Sequence, residues 1–158
     1  MRPASAPPQD YYLALGDSLA YGIQPDKSAG LPPSAFNTGY VDVFSARLRR
    51  LAPNIRVVNY GCPGESTKTF IAGGCPWLTG GKPLHDAFSG AQLKAALTFL
   101  RLHRGQVSPI TINLWGNEVD ALSECVRRQP RLRPGARSAC HCAVRLSPDH
   151  DSQTASHG

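Results

Sequence analysis

Tyr11-Tyr12-Leu13-Ala14-Leu15-Gly16-Asp17-Ser18-Leu19-Ala20-Tyr21 is the stretch on which the fold turns. Tyr11 to Leu15 is a short apolar run rich in strand formers, and Gly16-Asp17-Ser18 halts it. Leu19-Ala20-Tyr21 can then begin a helical turn, so the stretch predicts strand, tight turn and helix start. A serine at such a turn is held exposed, with its own backbone N–H near a helix N-terminus and free to face an anion. The plainer alternative is that Ser18 caps the helix that follows it.

Outward from this stretch, strand and helix signals alternate. Residues 23–38 contain Pro25, Pro32 and Pro33 and predict a loop long enough to wall a cleft. From Tyr40, apolar residues recur at Val43, Phe44, Leu48 and Leu51, with Arg47, Arg49 and Arg50 near the end where the helix dipole favours cations. That pattern predicts an amphipathic helix ending before Pro53. Ile55 to Asn59 predicts a second strand, and Tyr60 to Thr67 is rich in turn formers. Leu93, Ala96, Leu97 and Leu100 mark a helix from about Gly90 to His103, and Ile110 to Leu114 a third strand cut by Trp115-Gly116-Asn117. Connections of this length between strands imply a parallel sheet, hence an α/β fold in a three-layer sandwich with its site at the strand C-termini.

The chain has 158 residues, 41% of them apolar, enough for one domain with a real core. Residues 1–9 form a Pro- and Ala-rich leader expected to be disordered, residues 10–125 the domain, and residues 126–158 a basic tail of low order. The tail's only aliphatic residues are Val126, Leu132, Val144 and Leu146. No run approaches the roughly 20 apolar residues of a transmembrane helix, and Met1 to Asp10 lacks the apolar core of a secretory signal.

The formal charge of +6 owes much to Arg127, Arg128, Arg131, Arg133, Arg137 and Arg145. These cluster in the tail without the interleaved aromatics of a stacking surface, which argues against a nucleic-acid partner. Of five cysteines, Cys62 and Cys75 bracket a Gly- and Pro-rich loop, where a disulfide and a pair of free buried thiols are both open. Cys140-His141-Cys142 with His150 or His157 lacks the paired spacing of zinc ligands. Gly61 to Thr67 and Gly80-Gly81-Lys82 lack the spacing of a phosphate loop.

Three turns, each after a predicted strand, bear polar groups suited to one chemistry. The first is Leu15-Gly16-Asp17-Ser18-Leu19, the second runs from Asn59 through Gly61 and Gly64 to Thr67, and the third is Leu114-Trp115-Gly116-Asn117-Glu118. A serine attacking an ester carbonyl creates a tetrahedral oxyanion, which needs donors set around it in advance. Ser18 N–H, a glycine N–H and the Asn117 amide are three such donors. Alternatively, Gly64 serves only a turn after Pro63, and Asn117 only caps the helix starting near Glu118.

In order and spacing, Gly16-Asp17-Ser18-Leu19, Asn59 to Thr67 and Gly116-Asn117 resemble the first three blocks of the SGNH (GDSL-type) hydrolases, over about residues 11 to 120. The resemblance implies a flavodoxin-like α/β sandwich and a serine esterase or lipase that cleaves small-molecule or lipid esters through an acyl-enzyme. It implies Ser18 as nucleophile, Gly64 as oxyanion-hole glycine with Gly61 as a weaker substitute, and Asn117 as oxyanion-hole amide. Asp17 and Asn59 match positions that support the loops through hydrogen bonds. No metal or organic cofactor is implied. Tyr21, Phe36, Tyr40 and Trp77 are candidates for an acyl site or for core packing.

Two departures stand out. Glu118 occupies a position where the family usually has aspartate. The family's fourth block, an aspartate three residues before the histidine that acts as general base, is absent: none of His85, His103, His141, His150 and His157 has an aspartate three residues before it. The expectation is a truncated or frame-shifted C-terminus, and the alternative to an active esterase is a catalytically inactive fragment that acts as a binding module or does not fold stably.

Overall fold

The computed structural model describes residues 10–27 and 30–119. The leader at 1–9, the tail at 126–158 and its cysteines and histidines lie outside the described residues. Three strands, β1 (Tyr11–Gly16), β2 (Arg56–Asn59) and β3 (Val107–Asn113), form a parallel sheet in the order β2-β1-β3. Among the described residues they are accompanied by α1 (Ser18–Tyr21), α2 (Tyr40–Leu51), α3 (Thr67–Ala72), α4 (Pro76–Thr79) and α5 (Gln92–Leu102), with a 3-10 turn at Pro33–Phe36 and a helical turn at 116–119. This is a small α/β arrangement.

β1 is the centre because its six residues can all be buried, and they are. A parallel strand flanked on both edges and covered on both faces reads as a continuous apolar run rather than an alternating one. Tyr12 and Ala14 pack with Ala20, Val41 and Ile55, with Leu48 of α2 against them. Leu13 and Leu15 pack with Phe70 of α3 and Ala96 of α5, with Leu93, Phe99 and Leu100 alongside. A third cluster joins Tyr21, Phe36, Cys62, Cys75 and Leu84 beside the C-terminal end of β1.

The helical stripe expected on α2 is displaced. Val41 and Ser45 are the residues it buries, while Val43 is 56% and Leu51 87% exposed. The face carrying Tyr40, Val43 and Phe44 leans toward β3, where Tyr40 Oη lies 3.4 Å from Thr111 Oγ1 and a shallow groove opens between them. Among the described residues the sheet ends at β3, so that face has nothing further to cover it. β3 itself begins three residues earlier than expected and runs through Pro109, which a strand at the edge of a sheet tolerates. α3 lies within the loop expected between Cys62 and Cys75, and α4 in a stretch for which the sequence predicts no element.

Candidate active site

The first turn starts at Gly16, whose φ of +135° and close packing both demand glycine: a Cβ there would fall 2.0 Å from the Asn113 carbonyl oxygen. Asp17 N–H donates to that same carbonyl at 2.9 Å, so the turn is anchored to the end of β3. The Asp17 carboxylate accepts from Leu19 N–H at 2.9 Å and from Gly116 N–H. Burial pushes this carboxyl above its ordinary pKa, Glu118 adds to the rise, and the two backbone donors oppose it. Ser18 opens α1 half-buried, and its hydroxyl has no hydrogen-bond partner among the described residues.

Asn59 ties the second turn to the first. Its Nδ2 donates to Ala20 O at 2.8 Å, its Oδ1 accepts from Gly61 N–H at 2.9 Å, and its own N–H donates to Asp86 Oδ2 at 2.7 Å. Gly61 is therefore committed: its N–H is used, and a Cβ would stand 2.5 Å from Tyr21 N. Gly64, at φ +86°, has an N–H with no acceptor among the described residues. Between the two alternatives raised by the sequence, Gly64 is the glycine left with a donor to offer.

The same turn is closed by a disulfide between Cys62 and Cys75, whose Cα atoms are 6.5 Å apart. Cys62 N–H donates to Gly16 O at 2.9 Å, a further bond from the second turn to the first. Glu65 is fully buried. Its carbonyl accepts from Asn117 Nδ2 at 2.6 Å, which joins the second turn to the third, and the Glu118 carboxylate accepts from Thr67 N–H. The Asn117 amide has two hydrogens, and this bond uses one of them.

Sequence reading missed the residue that binds these turns most tightly. Gln92, at the start of α5 and fully buried, accepts from Gly16 N–H at 2.7 Å. Its Nε2 reaches Tyr60 O at 2.8 Å, Glu65 Oε2 at 3.0 Å and Gly16 O at 3.1 Å. A polar residue four positions before Ala96, on the apolar face of a helix, is the signal that marks it. A carboxyl beside it at Glu65 is likewise odd in a Gly- and Pro-rich turn that packs inward. Burial drives Glu65 toward its neutral form, with the hydrogen bond from Gln92 and the nearby Thr69 side chain opposing the shift.

Two histidines fall among the described residues, and neither bonds to Ser18. His85 Nε2 is 2.8 Å from Tyr21 O and its ring stacks on Tyr21. His103 stacks on Tyr11 and Phe99, by the start of β1 and so at the opposite end of that strand from Ser18. Of the four candidates for an acyl site, Tyr21 and Phe36 are fully buried core residues. Trp77 packs against the same cluster and donates to Pro83 O at 3.0 Å, and Tyr40 lies on the exposed face of α2.

Compared with known proteins, the chain matches no family model, no curated protein and no solved structure.

Proposed function

We propose that these turns are the nucleophile and oxyanion half of a serine ester hydrolase of SGNH (GDSL) type, in a three-layer sandwich. The observation that carries this is the set of bonds from Asp17 N–H to Asn113 O, at the head of the third turn, from Cys62 N–H to Gly16 O and from Asn117 to Glu65. They draw together three turns that lie far apart in the sequence, while the Ser18 hydroxyl, the Gly64 N–H and one Asn117 amide hydrogen stay uncommitted among the described residues.

Ser18 Oγ attacks the carbonyl carbon of a small-molecule or lipid ester, and the carbonyl oxygen becomes an oxyanion. Gly64 N–H, Ser18 N–H and Asn117 Nδ2–H are the donors that stabilise it. Collapse expels the alcohol, which carries away the proton lost by Ser18, and leaves an acyl-enzyme on Ser18 that water hydrolyses to the acid and the free serine. Asp17 and Asn59 act as supports, fixing the turns rather than touching substrate. No nucleic-acid partner belongs to this reading, and among the described residues no helix is long and apolar enough to cross a membrane.

The Ser18 proton has no acceptor in His85 or His103, and this favours a second reading, a binding module without turnover. Loss of the base from a serine triad costs on the order of 10⁶ in turnover. Hydrolysis of a short-chain chromogenic ester by the wild-type chain and by Ser18→Ala decides between the two. A rate abolished by Ser18→Ala is the expected result for an esterase, and equal rates overturn it. Stimulation by added imidazole in the wild type alone would show that the nucleophile is competent and the base is what is lacking.

A further inference from the structure

Behind the oxyanion turn lies a cluster that ester hydrolysis does not use. Cys62, Cys75 and Glu65 are buried together, with both sulfurs and a Glu65 carboxylate oxygen within 4.8 Å of one another. Glu65 Oε2 accepts from Gln92, whereas Glu65 Oε1 is buried with no hydrogen-bond partner. The nearby Thr69 hydroxyl lies 3.2 Å from Ser66 O, to which it donates. A buried carboxylate oxygen without a donor is costly and calls for a ligand or a proton.

We propose that reduction of the Cys62–Cys75 bond converts this cluster into a binding site for a divalent ion of the zinc class, held by two thiolates and the Glu65 carboxylate. Two sulfurs and one oxygen are a donor set of intermediate softness, which suits zinc or cobalt(II) and not magnesium or calcium. Pro63 O, 3.6 Å from Cys75 Sγ, is within reach as a fourth donor. The 6.5 Å between the two Cα atoms accommodates a disulfide and leaves room for two thiolates to turn toward a shared ion. Gly73 and Gly74, at φ +90° and +93° immediately before Cys75, give that side of the loop a backbone with few steric constraints.

The chemistry balances with an external dithiol as reductant. Its two S–H groups become its own disulfide, delivering two electrons and two protons, and the Cys62–Cys75 bond becomes two thiols. The metal then displaces both thiol protons, and that of a protonated Glu65, to solvent. Three negative ligands against a charge of +2 leave a net −1 in a buried pocket, so binding tightens as pH rises and protons compete less. The oxidised protein lacks the two thiolates and has no site. This proposal is independent of ester hydrolysis and needs no activity to be tested.

The test uses the full-length chain with Cys125, Cys140 and Cys142 changed to serine, reduced with a dithiol, freed of reductant, and titrated with cobalt(II). Expected is one equivalent bound with a thiolate-to-cobalt charge-transfer band, absent from the oxidised protein and from the Cys62→Ser/Cys75→Ser double variant. Glu65→Gln, which can still accept from Gln92, should weaken cobalt by about tenfold or more, the least that loss of a direct ligand is expected to cost. A reduced chain that gives no band overturns the proposal. So does an unchanged affinity in Glu65→Gln, or a native circular dichroism spectrum lost on reduction and not restored by cobalt.

Discussion

Asn117 shows how the proposed reaction would use a residue that already holds the scaffold. One amide hydrogen fixes the Glu65 carbonyl and the other is available to an oxyanion. Asn117→Ala should therefore lower the Ser18-dependent kcat by about 10² to 10³, the usual cost of one oxyanion donor, as read from steady-state ester hydrolysis. Glu65 makes a pH-dependent contribution of definite sign. Burial raises its folded pKa above the ordinary 4.5, so the native state holds this proton more tightly than the unfolded chain does. Its stabilising contribution is complete below the unfolded value and is lost as pH rises through the folded one. Asp17 shifts in the same direction. Glu118 shifts the other way: desolvation raises it, but its hydrogen bonds, chiefly from Thr67, together outweigh that effect and lower it. Urea midpoints across a pH series should fall over this window in the wild type, and Glu65→Gln should flatten part of that fall.

Elements differ in how plainly the sequence announces them. β1 was legible because six buried residues leave no polar face to confuse the pattern, and α2 and α5 because their apolar spacing runs for three turns. α3 and α4 were not, being six and four residues long with one buried side chain and none. α3 is held instead by Ser66 and Thr69 capping each other, and α4 starts on Pro76, which supplies its φ in advance. The three turns could be placed from sequence because each follows a strand. Gln92 stands out in the sequence as a polar residue on the apolar face of α5, but its partners do not, because they are mostly backbone atoms at positions that no local pattern reveals. The loop from Cys62 to Cys75 gains stability from its bridge. With a separation of 13 residues, Cys62→Ser/Cys75→Ser should lose about 3 kcal/mol, measured by chemical denaturation without metal.

At the scale of the described molecule, one run of exposed apolar side chains lies along the β3 flank. Ile110 and Ile112 are 43% and 59% exposed, and Tyr40, Val43 and Phe44 of α2 are exposed as well. A strand edge of this kind invites pairing with other chains. Ile112→Lys should reduce concentration-dependent association in light scattering while shifting the melting temperature little, because the substituted side chain packs mostly against solvent. Gln92 has a different consequence. Its side chain reaches segments 27, 32 and 76 positions away, and such long closures are made only once the intervening chain is ordered. The nucleophile turn and the oxyanion turn are thus expected to lock in a single late event of folding, so that no partly folded chain carries half an assembled pocket.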